Sequence, residues 1–377
     1  MPKVVHHPAY GRYDLGPEHP FSPGRIDMVL DLLREFGVAL DPVEATPATV
    51  EDLLGVHAED YVRAVEAASA GGTAADLASF GLGTADNPIV PGMGEAARWL
   101  AGGTLHGARM IAAGDAELVL QLGGGFHHAR HCLASGFCLY NDLALAIRHL
   151  VSRRKRVAYL DLDVHHGDGV QEIFYTDEDV LTLSFHESGE YLFPGTGWPH
   201  ELGQGMGRGL KLNVPLEPFT EGDSYFNALE KVSVPALDFF RPDVLVVQCG
   251  ADAHHLDPLA DLMLTTQDFE RIFRFVLRLA SEHTGGRALF TLGGGYSMRV
   301  TPRVWAILYL VLHGLPIPEA LPAAWLERWR DRLGSPSLAT LHDGAEPYPA
   351  VPRRGEITRQ NAMMVDRLLD AVARYWL

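Results

Sequence analysis

Short apolar runs alternate with helical patterns along this chain, and that alternation constrains its fold more than any other feature. The runs are Glu117–Leu122, Val157–Leu162, Val180–Phe185, Leu210–Val214, Val244–Gln248 and Ala288–Leu292, with a further short strand expected over 3–6. Apolar residues at helical spacing fill 94–113, 141–153, 223–240, 267–283 and 302–313, and 355–376 reads as an outer helix. A helix following Ser22-Pro23 carries Ile26, Val29, Leu30, Leu33 and Phe36, with Ser22 as the expected cap. Strands separated by helices are joined by crossovers, which predicts an α/β architecture with a mostly parallel sheet covered on both faces. Nothing in the composition reads as a linker, so residues 1–377 are expected to form a single domain.

In an open parallel sheet, binding crevices lie beyond the carboxyl ends of the strands. Five of the runs end in chemically loaded sequence: GGGFHHARH then SGFCLYND, DVHHGDG, HESGEYLFPGTG, CGADAHHLDPL and GGGYS. The stretch VAYLDLDVHHGDG (Val157–Gly169) is the densest, with three carboxylates and two histidines within eight residues. Alternation along a strand puts Asp161, Asp163 and His165 on one side. A carboxylate and an imidazole two residues apart suit a divalent metal such as zinc. A catalytic zinc keeps three protein ligands, and Asp257 is the expected third, with His254 and His255 as rivals.

Adjacent side chains diverge, so the tandem His127-His128 is better suited to flanking a water than to joint ligation. A neutral imidazole there can act as a general base if a carboxylate orients it, and Asp161 and Asp168 are available. Tyr296, after three glycines, can donate a hydrogen bond to a carbonyl oxygen as charge develops on it. Phe137 and Phe193, each in a glycine-flanked loop, can line a narrow slot, although either taken alone reads equally as core.

Acids exceed bases, for a formal net charge of −17. That opposes non-specific binding to nucleic acid or an anionic membrane and favours cationic partners. Three cysteines without paired metal spacing fit a reducing compartment, and the first residues lack the apolar stretch of a signal peptide. No run of about 18 apolar residues offers a membrane span. A cytoplasmic protein without nucleic-acid or membrane partners is therefore expected, of unspecified oligomeric state.

These motifs, with YDLGPEHPFSPGR near the start, resemble the histone deacetylase superfamily, and within it the bacterial acetoin-utilization-type deacetylases. The resemblance spans about 300 residues in the family's order. It implies a single-domain three-layer α/β/α arginase/deacetylase fold around a sheet of about eight strands. It implies zinc, or ferrous iron, on Asp163, His165 and Asp257, with active-site histidines His127 and His128 backed by Asp161 and Asp168. Tyr296 takes the transition-state position, Phe137 and Phe193 the tunnel walls, and Gly136 lies beside them. Asp86 falls on the rim position that binds substrate backbone, and Arg25 on the internal cavity near the acetate exit. A structural potassium ion is implied at Asp161, Asp163, His165, Ser184 and Phe185, some through backbone oxygens. Leu292 stands where many relatives have a fourth glycine, Tyr140 and Leu139 are exchanged, and the 70–93 loop matches little.

The activity this implies is zinc-dependent hydrolysis of N-acetyl-lysine in proteins to lysine and acetate. One alternative is the same chemistry on small acetylated amines such as acetylpolyamines. An inactive acetyl-lysine-binding module would lack a ligand, a histidine or the tyrosine, and all are present. An arginase-like two-manganese hydrolase needs further carboxylate ligands that the stretch from Gly250 to Asp257 does not pair.

Overall fold

Along the central strand Val157–Asp161 the side chains divide by parity. Ala158 and Leu160 enter one buried apolar cluster, and Val157 and Tyr159 enter another on the opposite face. Leu245 and Val247 part from Val244 and Val246 in the same way. Every strand residue here is buried, which accounts for continuous apolar runs where a half-exposed strand would alternate.

The structure is a computed structural model that describes residues 2–72, 77–334, 338–344 and 350–376. Its strands are β1 (Lys3–His6), β2 (Val43–Glu44), β3 (Leu118–Gln121), β4 (Val157–Asp161), β5 (Val180–Glu187), β6 (Lys211–Leu216), β7 (Val244–Gln248) and β8 (Ala288–Thr291). They form one eight-stranded sheet in the order β2-β1-β3-β8-β7-β4-β5-β6, with every pair parallel. Helices Gly24–Glu35, Gly222–Phe240, Thr266–Thr284, Thr301–Leu312 and Arg354–Ala373 pack in the first cluster, and Glu59–Ser69, Met93–Ala113 and Asp142–Ser152 in the second. The expected three-layer α/β/α arrangement is what forms.

Register decides where the site sits. Gln121, Thr291, Gln248, Asp161, Ser184 and Asn213 stand in one row across β3-β8-β7-β4-β5-β6. All six are buried, and the row is the last residue of β3, β8, β7 and β4. Polar chemistry therefore begins at one level across the sheet, and the loops that follow continue it.

Three local readings differ from the sequence expectation. Ser22 does not cap its helix: the helix starts at Gly24, and the Ser22 hydroxyl instead accepts from Arg332 Nη1 at 3.2 Å. Strand β2, two residues long, is too short to show a pattern. Within 70–93 the described residues include a 3₁₀ turn at Leu77–Phe80, while 73–76 lie outside the described residues. Among the described residues, no helix is long and apolar enough to cross a membrane.

Candidate active site

The loop after β3 carries the histidine pair, and a carboxylate outside the predicted set ties it down. Asp142, at the start of helix Asp142–Ser152, accepts from Gly125 N at 2.9 Å, Phe126 N at 2.7 Å and Thr104 Oγ1 at 2.6 Å. The sequence signal was the Asn141-Asp142 helix start: Asn141 caps the helix through Ala144 N at 2.9 Å, which turns Asp142 inward.

The structure brings His127 and His128 together with both predicted carboxylates. His127 Nδ1 lies 2.8 Å from Asp161 Oδ2, and His128 Nδ1 lies 2.7 Å from Asp168 Oδ1. Behind them, Tyr159 donates to Asp161 Oδ2 at 2.6 Å and Arg130 donates to Asp168 Oδ2 at 2.8 Å. Each Nδ1 bonded to a carboxylate carries its proton there, so the exchangeable sites are the two Nε2 atoms, 2.9 Å apart. Burial opposes a charge on His127, but Asp161 and Asp163 outweigh it and hold its pKa at about 9. Burial and the His127 charge push His128 down to about 4, against the pull of Asp168. The neighbouring carboxylates thus favour the charged form of His127, and burial beside that charge favours the neutral form of His128.

Asp163, His165 and Asp252 converge, with one ligating atom from each within 4.8 Å of the others. His165 Nδ1 is 3.0 Å from Asp163 Oδ1 and 3.2 Å from Asp252 Oδ2. Asp163 Oδ2 is occupied by Gln248 Nε2 at 2.6 Å and Gly294 N at 2.8 Å, which turns Oδ1 toward the cluster. Asp252 Oδ1 accepts from Val164 N at 3.0 Å, while the buried Oδ2 makes no hydrogen bond. An orphaned carboxylate oxygen facing an imidazole and a second carboxylate fits a divalent cation.

Asp257, the expected third ligand, is buried in the same loop after β7 as Asp252. Its Oδ2 accepts from Tyr296 N at 2.7 Å and its Oδ1 from Leu259 N at 3.1 Å. The rival histidines turn elsewhere. His254 Nε2 meets Asp343 Oδ2 at 2.8 Å, and His255 Nδ1 lies 3.1 Å from Leu264 O. His254, His255 and Asp343 also group closely, but Asp343 is already held by Arg303 Nη2 at 3.0 Å and Thr266 N at 2.8 Å.

Above the triplet, a cavity of about 320 Å³ is lined by Gly136, Phe137, Phe193, Leu259 and Tyr296, with His128 and His165 at its floor and Asp86 among its walls. Phe193 stands edge-on to His128 at 5.0 Å between ring centres, and Phe137 edge-on to Tyr296 at 5.7 Å. Asp86 is exposed, and its carbonyl lies 3.3 Å from His19 Nε2. Arg25 is buried behind the site, where Nη1 donates to Gly295 O at 2.6 Å and Gly293 O at 3.3 Å. Its guanidinium borders a second, internal cavity with Phe126 and Trp305. Ser184 pairs with Asp161 across β4 and β5, and its hydroxyl meets His186 Nδ1 at 2.8 Å.

This fold and site define a class, and comparison with known proteins agrees. Residues 19–312 match the histone deacetylase domain, and the chain belongs to that family of deacetylase hydrolases, whose members are typically metal-dependent. The chain is 42% identical over 373 residues to the acetoin utilization protein AcuC of Bacillus subtilis (strain 168), covering 98% of this chain and 96% of that one. Identity to AcuC of Staphylococcus aureus (strain MRSA252) is 37% over 357 residues, covering 93% and 92%. A histone deacetylase homologue crystallised with SAHA superposes with a TM-score of 0.87 at 30% identity, over 97% of this chain and 99% of that one. A homologue from Aquifex aeolicus gives 0.82 at 29% identity, over 95% and 99%.

Proposed function

We propose that this enzyme hydrolyses N-acetyl-lysine in proteins to lysine and acetate, with zinc, or ferrous iron in the cell, as the cation. One observation carries the reading: two carboxylate-backed imidazoles stand beside Asp163 and His165, with Asp252 and Asp257 on the loop after β7, next to an aromatic-walled cavity. A cation held by Asp163, His165 and Asp257 would supply Lewis-acid polarisation of the acetyl carbonyl and of the attacking water. His128 Nε2, neutral and on the cavity floor, takes the water's proton as the oxygen attacks. The Tyr296 hydroxyl donates to the oxyanion that forms. The amide C–N bond then breaks, and the protonated imidazole pair returns a proton to the leaving amine. Asp161 and Asp168 hold the two rings and offset their charge.

Phe137 and Phe193 flank the apolar lysine stem, and Gly136 leaves room for it. Asp86 at the rim accepts backbone amides of the substrate, and Arg25 serves the internal cavity through which acetate leaves. A potassium ion at Asp161, Asp163, His165, Ser184 and Phe185 would brace the ends of β4 and β5. Three free thiols suit a cytoplasmic setting.

A second reading, an acetylpolyamine as substrate, is favoured by the Asp86 carboxylate at the mouth and the net charge of −17. Turnover measured side by side on acetyl-lysine peptides and acetylpolyamines tests the proposal. Higher kcat/KM on the peptides is expected. A clear preference for the polyamines would replace it with the second reading.

A further inference from the structure

One wall of the substrate cavity is built on a strained turn. Ser135 and Cys138 pair as an antiparallel bridge, Ser135 N–H donating to Cys138 O at 3.2 Å and Cys138 N–H to Ser135 O at 2.9 Å. Gly136 and Phe137 are the two residues between them, at φ +50° and +68°. Two central residues at positive φ are the pattern of a type I′ turn, which favours glycine, asparagine or aspartate at both places. A phenylalanine rarely takes that conformation, because its Cβ crowds the backbone. The glycine cannot be exchanged with it, since a Cβ at 136 would lie 2.4 Å from His128 Cδ2. Backbone strain of this kind persists only where the surroundings hold it.

The segment from Tyr13 to Phe21 holds it. Tyr13 Oη donates to the Phe137 carbonyl at 2.7 Å, across 124 residues of sequence. The neighbouring Gly136 carbonyl takes a bond from within the turn, from Cys138 Sγ at 3.1 Å. Tyr13 is buried, its ring edge-on to Phe126 at 5.1 Å and to Phe21 at 5.5 Å, so the phenol is fixed in place. Burial holds its pKa well above the ordinary value, which keeps the hydroxyl a donor. His19 closes on the phenylalanine ring itself, edge-on at 4.4 Å between centres. Its Nδ1 accepts from Phe21 N at 3.0 Å, so Nε2 carries the proton toward Asp86 O at 3.3 Å.

We propose that Tyr13 is a positioning residue for substrate binding: by holding the Phe137 carbonyl, its hydroxyl keeps the Phe137 ring in the cavity wall. The proposal rests on the reading of Phe137 as a wall for the apolar stem of the acetylated side chain. Without the hydroxyl, the turn relaxes toward the negative φ that a phenylalanine prefers, and the ring leaves its place. Contacts made equally in the ground state and the transition state set KM and leave kcat little changed.

A double-mutant cycle tests it, using Tyr13→Phe, Phe137→Gly and the pair in the full-length, zinc-loaded protein, read as KM and kcat on an acetyl-lysine peptide. Tyr13→Phe removes one oxygen and keeps the ring contacts with Phe21 and Phe126, so the fold is retained. We expect it to raise KM about tenfold, equivalent to about 1.4 kcal/mol, with kcat within about threefold. Phe137→Gly should also raise KM, and adding Tyr13→Phe to it should change KM less than about twofold, since no ring remains to be held. Amide exchange gives a second readout that a remote structural role would not move. The Ser135 and Cys138 N–H groups, which close the turn, should exchange about tenfold faster in Tyr13→Phe, and those of β4 at the parent rate. KM effects that multiply, or an unchanged KM in Tyr13→Phe, would overturn the proposal, as would unchanged exchange at the two turn amides. A normal KM in Phe137→Gly would instead overturn the reading of Phe137 as the wall, and this proposal with it.

Discussion

Gly136→Ala adds one methyl group to the cavity wall, and its consequence can be worked from distances. The backbone at Gly136 has φ +50°, and a residue with a Cβ pays about 1–2 kcal/mol to adopt that left-handed conformation. The new Cβ would lie 2.4 Å from His128 Cδ2, 2.8 Å from its Cγ and 3.0 Å from Phe193 Cε1. Ordinary contact begins near 3.4 Å, so the His128 ring must retreat by about 1 Å. It cannot do so freely, because Nδ1 is bonded to Asp168 at 2.7 Å and Nε2 touches His127 at 2.9 Å. Misplacing a catalytic group by 1 Å costs about 100-fold, or ~2.7 kcal/mol of transition-state stabilisation. We expect kcat/KM on an acetyl-lysine peptide to fall about 100-fold, with metal content unchanged and thermal unfolding a few degrees lower. A folded, metal-loaded variant with kcat/KM within about threefold of the parent would refute the reasoning, because the ring would then have room that these distances deny it.

Asp257→Ala is expected to lose the bound cation and the activity together, read by elemental analysis alongside turnover; full occupancy would pass the third-ligand role to another residue, with Asp252 the nearest carboxylate to Asp163 and His165. Tyr296→Phe should keep its fold and metal while kcat drops about 100- to 1,000-fold, measured by steady-state kinetics. Lys211 is buried, and its Nζ donates to Val180 O at 2.5 Å and Asp177 O at 3.2 Å. Burial lowers its pKa to about 7, against the weaker pull of Asp177. Its folded value lies below the unfolded one, so the unfolded chain holds more protons between the two. Stability from this residue should rise by up to roughly 1.4 kcal/mol per pH unit above about 7, and its full cost is present below that. Urea unfolding of the parent and Lys211→Met at pH 7, 8 and 9 should show the rise in the parent alone.

The amino-acid pattern by itself determined the strands, the major helices and the parallel character of the sheet. Buried parallel strands must be apolar on both faces, and Val157–Leu160 and Val244–Val247 state this locally. It also determined the residues that act from within one motif. Asp161, Asp163 and His165 are neighbours in the chain wherever the rest of it goes, and His127-His128 follows directly from its strand. Tertiary structure alone decided what depends on how separate loops meet. Asp252 and Asp257 both follow β7, and only the path of that loop puts the first against Asp163 and the second under Tyr296. Asp142 looks like an ordinary helix start until the glycine loop folds onto it. Gln248 looks like the end of an apolar run until register places it beside Asp161 and its amide reaches Asp163. Sequence spacing records distance along the chain, whereas ligand sets and positioning bonds depend on distances between loops, which the packed sheet sets.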